Sequence, residues 1–188
     1  MTRSVQSRFA SAAAILLLAF LALPAAAVEP AVPPRVQAAV IAKLWQFDRN
    51  FVQHGEIKLA VLYQTKYRIS FVAAHDLCHE FEAAHLAVRC VFVDISDAAV
   101  PLDAQLPRGT DAAYVAPLRA VNVGAVFIAL RARRIRSVTA VPEYVLAGSA
   151  VGLSLHGDHA QIVANLPAAR AEGSDFSSQL LKLARIVE

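Results

Sequence analysis

Ile57-Lys58-Leu59-Ala60-Val61-Leu62-Tyr63 and Ala87-Val88-Arg89-Cys90-Val91-Phe92-Val93-Asp94-Ile95 are two nearly continuous apolar runs. Between them, over about 69–84, Phe71, Ala74, Leu77, Cys78 and Phe81 recur at helical spacing. Runs apolar on both alternating faces are what parallel strands covered by helices look like. Strand, helix, strand in that order is a βαβ unit, and the rest of the chain reads outward from it.

On the amino-terminal side, Pro34 stands where a helix favours its first residue. Val36, Val40, Leu44, Phe47 and Phe51 continue at helical spacing and predict a helix over about 35–51. On the carboxyl side, residues 96–111 carry Pro101, Pro107 and Gly109 and predict a loop over one sheet edge. A short strand 112–116, a helix at about 121–132 and a strand at about 136–141 follow. Val151, Leu153 and Leu155 alternate, as do Ala160, Ile162 and Ala164, around Gly157-Asp158, the pattern of a two-residue hairpin. Phe176, Leu180, Leu183 and Val187 predict a final helix. The expected fold is a single α/β domain over 35–188, with a mostly parallel sheet flanked by helices and a C-terminal β-hairpin and helix.

The first 27 residues read as an export signal. Arg3 and Arg8 precede the apolar run Ala12 to Leu23, Pro24 breaks it, and Ala25-Ala26-Ala27 offers small residues to a signal peptidase. Residues 28–34 are Pro-rich and extended in this reading. Removing Arg3 and Arg8 lowers the formal charge from +3 to +1, so the charge gives no reason to expect a nucleic-acid partner. With 57% hydrophobic residues the chain is not disordered. No later apolar stretch reaches the roughly 18–20 residues that span a bilayer.

No Gly-x-Gly-x-x-Gly, Walker or Gly-x-Ser-x-Gly pattern exists in the chain, so no catalytic residue and no cofactor is expected. His75 and His79 lie four apart on one helix face and could form a metal ligand pair, but they lie off the apolar stripe and a solvated flank is the favoured reading, so no metal is expected. His156 and His159 flank the hairpin turn and should face one another. Trp45 falls beside the apolar stripe of the first helix, which makes partial burial the simpler alternative to a partner anchor. Cys78 lies about six residues before its helix ends and Cys90 three residues into the returning strand, so their heights match at roughly 9–10 Å. A disulfide is expected if the helix packs closely enough, and two buried thiols are the alternative.

The carboxyl third runs Gly148-Ser149-Ala150-Val151-Gly152-Leu153, then Gln161-Ile162-Val163-Ala164-Asn165-Leu166-Pro167-Ala168-Ala169-Arg170, then Asp175-Phe176-Ser177-Ser178-Gln179-Leu180-Leu181-Lys182-Leu183-Ala184-Arg185-Ile186-Val187. This resembles the ending of the YfiR-like periplasmic proteins, strongly over 148–187 and collinearly over 35–147. Gln64-Thr65-Lys66 departs from the Gly-Asp turn that members often carry there. Ser177 and Ser178 belong to the family motif and open the last helix, with Ser174 or Asp175 as the expected N-cap. The resemblance implies a periplasmic repressor of an inner-membrane diguanylate cyclase, which an outer-membrane lipoprotein can sequester, and a fold like one lobe of a solute-binding protein.

That reading calls for an apolar partner surface and a homodimer or hetero-complex. Val100, Leu102 and Leu106, set between prolines with no evident core role, are the candidate contacts. A single-lobe small-ligand-binding protein is the alternative, since sheet-end loops commonly form such sites. An exported hydrolase is the least supported, for want of a nucleophile motif.

Overall fold

The computed structural model describes residues 32–52 and 55–187, so the expected signal segment 1–27 lies outside the described residues. Helix α1 (Pro34–Leu44) leads through a 3-10 turn into β1 (Ile57–Tyr63). Then come α2 (Arg68–Ala83), β2 (Val88–Asp94), α3 (Leu102–Gln105), β3 (Ala112–Val115), α4 (Val123–Ala132) and β4 (Arg136–Thr139). The chain continues through α5 (Glu143–Leu146), β5 (Val151–His156), β6 (His159–Asn165), α6 (Leu166–Ala171), α7 (Ser178–Leu183) and β7 (Ala184–Val187). The seven strands form one sheet in the order β2-β1-β3-β4-β5-β6-β7, parallel throughout except at the β5–β6 hairpin.

The sheet has a core on each face because successive side chains of a strand point to opposite sides. Leu59 and Val61 of β1 join Ile41, Leu77, Phe81 and Tyr114 in one core, under α1 and α2. Ala60 and Leu62 join Val93, Val115, Phe127 and Leu130 in the other, under α4. Gly152 is required where β5 passes α5, because a Cβ there would overlap Val145.

Two expectations at the chain ends are corrected. The first helix stops at Leu44, because Asp48 leaves helical geometry to serve as a hydrogen-bonding node. Its carboxylate takes Arg136 Nε at 2.8 Å and the backbone N–H groups of Asn50 and Asp175 at 3.0 and 2.8 Å. The last helix ends at Leu183, and Ala184–Val187 becomes a strand pairing with Ile162–Asn165. The open edge of β6 offers unpaired backbone groups, and satisfying them outweighs another helical turn that would carry Leu183, already 66% exposed. Ser177, not Ser174 or Asp175, caps α7, its hydroxyl accepting the Leu180 N–H at 3.4 Å.

Candidate functional site

The most concentrated exposed apolar chemistry lies where α2 meets the edge strand β2. Register pairs Val61 with Phe92 and Tyr63 with Asp94, which puts Phe92 and Tyr63 on the α2 side of the sheet. From α2, Phe71 and His75 sit one turn apart and descend onto the same spot. The His75 ring lies 4.1 Å from Phe71 and 4.3 Å from Phe92, nearly parallel to the latter, and Tyr63 meets it edge-on at 5.8 Å. Phe71 is 39% exposed and Phe92 41%, with Val72 exposed next to Phe71 on the helix. The result is an aromatic ledge.

A covalent link fixes its geometry. Cys78 and Cys90 form a disulfide with Cα atoms 6.0 Å apart. Cys78 lies one turn after His75 and Cys90 two residues before Phe92, so the bond staples helix to strand directly under the stack. Above the ledge, Asp94 accepts hydrogen bonds from the Thr65 N–H and hydroxyl and from the Ser96 N–H and hydroxyl. Burial alone would raise its pKa, but the bonds from Ser96 and Thr65 outweigh that and hold it below the usual carboxylate range.

The residues singled out in the sequence fall as follows. His75 is not on a solvated flank with His79: its ring is in the stack, its Nε2 is buried without a hydrogen-bond partner, and His79 is exposed. Among the described residues no three His, Cys, Asp or Glu side chains gather as a metal site. His156 and His159 face one another in register at the exposed hairpin tip. Trp45 is fully buried and stacks on Phe51 at 5.5 Å.

Of the loop candidates, Val100 is 42% exposed and Leu102 is half-buried. Leu106 is corrected: at 5% exposure it belongs to the core under α4. Arg133 puts it there by donating to the carbonyls of Asp103, Leu106 and Pro107, which pins the loop to the end of α4.

The ledge was missed in the sequence because Phe71 reads there as an inward residue. The available signal was Phe71 and His75 four apart, beside a strand with phenylalanine at its centre.

The described residues thus form a single α/β domain with a disulfide-stapled aromatic ledge on its surface. The YfiR/HmsC-like family model matches residues 35–185, and the chain belongs to that family. No curated protein matches it. Among solved structures it is similar to a Streptococcus pneumoniae ABC domain in complex with L-Trp, with 13% identity and a TM-score of 0.62 over 82% of this chain and 62% of that one. A conserved domain protein from Vibrio cholerae is similar at 13% identity and a TM-score of 0.63, over 85% of this chain and 61% of that one. The chain therefore spans about three-fifths of each neighbour, and these likenesses establish the α/β fold alone. No helix among the described residues is long and apolar enough to cross a membrane.

Proposed function

We propose that this protein is a periplasmic regulator that binds the sensor region of an inner-membrane diguanylate cyclase and holds it inactive, lowering cyclic di-GMP. Family membership supports the regulatory role, since YfiR/HmsC-like proteins act in cyclic di-GMP regulation. The observation that carries a binding role is the aromatic ledge of Phe71, His75 and Phe92. The Cys78–Cys90 disulfide supports an oxidising compartment such as the periplasm.

Repression works through differential binding. The regulator must prefer the inactive sensor, and moving it from mostly active to mostly inactive needs about 5 kcal/mol of preference. A standard interface of about 800 Å² per partner, centred on buried aromatic anchors, supplies that. The ledge presents Phe71 and Phe92 as such anchors, with Val72 exposed next to Phe71. An outer-membrane lipoprotein that covers the same surface would release the cyclase.

Deleting the gene raises cellular cyclic di-GMP and biofilm formation in this reading. Phe71→Asp together with Phe92→Asp reproduces the deletion while the purified variant melts as a folded protein. Unchanged cyclic di-GMP in the deletion strain, with the cyclase expressed, refutes the regulator. A repressing double variant refutes the ledge as its interface.

A further inference from the structure

On the opposite face of the sheet, the loop after β2 and the loop before α4 border an open cavity of about 330 Å³ that the regulator reading does not use. Ile95, Val100 and Leu102 form one wall, and Val121, Asn122 and Val126 the other. The chain leaves β1 for β2 on one side and then crosses to β3 on the other, so strand order reverses beside β1. Open α/β sheets bind ligands at the carboxyl ends of strands next to such a reversal. The volume sits at the small end of the 300–1,000 Å³ typical of ligand pockets.

The polar groups in this apolar cavity hold its walls with one atom and leave the other for a guest. Asp97 Oδ1 accepts the Ala99 N–H at 2.9 Å, Gln105 Nε2 donates to the Val100 carbonyl at 2.8 Å, and Asn122 Oδ1 accepts the Ala125 N–H at 3.1 Å. That leaves Asp97 Oδ2 and Gln105 Oε1 as acceptors on one wall, and Asn122 Nδ2 as a donor on the other. Asp97 is the only charged residue among those lining the cavity.

The far wall is set in advance. Gln64, in the segment that departs from the family pattern, clasps it: Nε2 donates to the Arg119 carbonyl at 3.1 Å and Oε1 accepts the Arg119 N–H at 2.7 Å. Ala120 follows with φ +55°, a left-handed conformation that a non-glycine residue keeps only where its surroundings impose it.

We propose that this cavity binds a small organic cation, an apolar or aromatic body carrying one protonated amine. The body packs on Val100, Leu102 and Val126, and the amine meets Asp97 and Gln105.

Calorimetry on the purified, disulfide-bonded protein tests this with three probes of one shape and different charge: 4-phenylbutylamine, 4-phenylbutanol and 5-phenylpentanoate. The amine binds one to one, the alcohol about five-fold more weakly, as one partly exposed ion pair allows, and the carboxylate not at all. Asp97→Asn reduces the amine to the level of the alcohol. Ala125→Phe, at an exposed position of the first turn of α4 that lines the cavity, abolishes amine binding with the melting temperature unchanged. In case that variant misfolds, amide shifts of Val121 and Ala125 in the unmodified protein locate the bound amine. No binding by the amine, binding indifferent to Asp97→Asn, or amide shifts elsewhere would each overturn the proposal. None of these results depends on the cyclase.

Discussion

His75 lies nearly parallel to Phe92, its ring 4.3 Å away and tilted by 17°, with Nε2 buried and lacking a hydrogen-bond partner. The imidazole gains stacking contact but leaves one polar atom dry. An orphaned buried group costs about 1–3 kcal/mol relative to a satisfied or apolar one.

His75→Phe therefore keeps the stack and removes the orphan. The expected outcome is a rise in melting temperature of about 2–4 °C, the response to roughly 1 kcal/mol in a chain of this size. His75→Ala opens the stack and lowers it. Thermal denaturation of both variants checks the pair, and a destabilised His75→Phe would mean that Nε2 finds a partner in solution.

Cys78 and Cys90 close a short loop between α2 and β2. Cross-linking a loop of this length stabilises by about 3 kcal/mol through the unfolded chain. Replacing both cysteines by serine should lower the denaturation free energy by that order. If the ledge is the interface of the proposed cyclase regulator, the replacement should also weaken repression more than the stability loss explains, because the staple sets the distance between His75 and Phe92. Titration with urea, alongside cyclic di-GMP measurement, separates the two effects.

The fold was legible where periodicity and covering agree. β1, α2 and β2 emerge within a residue or two of their sequence bounds because both faces of β1 are buried and each element carries a nearly continuous apolar pattern. The disulfide was legible because helix rise and strand rise give heights that can be compared. β7 was not, because Leu180, Leu183 and Val187 satisfy helical spacing while the demand for a strand comes from the distant edge of β6. The ledge was not legible either. Whether Phe71 points into the core or over the rim depends on how far α2 overhangs β2, which no local pattern encodes. Leu106 failed for the converse reason: its partner, Arg133, lies on another element.

Leu106 and Val100 now make a matched contrast within one loop. Leu106→Asp places an unpaired carboxylate in the core beneath α4 and should cost about 3 kcal/mol or more. Val100→Asp, on the exposed shoulder, should stay within about 0.5 kcal/mol. Chemical denaturation of the two variants reads the difference directly; equal stabilities would contradict the burial of Leu106.

Asp48 and Arg136 join the start of the domain to the central sheet at 2.8 Å, with the carboxylate fully buried. Burial alone would raise the Asp48 pKa, but hydrogen bonds from Arg136 and the Asp175 and Asn50 N–H groups hold it below the usual value. A lowered folded pKa stabilises above the unfolded value and is lost as pH falls through the folded one. Asp48→Ala leaves Arg136 partly buried without its acid and should cost about 3–5 kcal/mol at neutral pH. The penalty shrinks below the ordinary carboxylate pKa, where the parent protein loses the same interaction. A penalty independent of pH would assign the effect to lost backbone hydrogen bonds instead.

Glu172 works in the opposite direction and in a different pH range. Its carboxyl is fully buried beside Ser137, whose N–H donates to Oε2 at 2.7 Å and whose hydroxyl donates to Oε1 at 2.6 Å. Burial pushes its pKa up to about 7, more than the Ser137 bonds and the nearby Arg131 and Arg136 charges pull it down. Between its ordinary value of 4.5 and about 7, the folded protein thus keeps a proton that the unfolded chain has released. Stability from this group is complete below the lower value and is lost as pH rises through the upper one. The loss amounts to about 3 kcal/mol across that window. Glu172→Gln removes the titration yet keeps an oxygen for one Ser137 donor. It should therefore be less stable than the parent at pH 4.5, where the parent is protonated, and should close that gap or overtake it at pH 8. Urea denaturation at the two pH values measures the crossing, and parallel curves for parent and variant would place the Glu172 proton elsewhere.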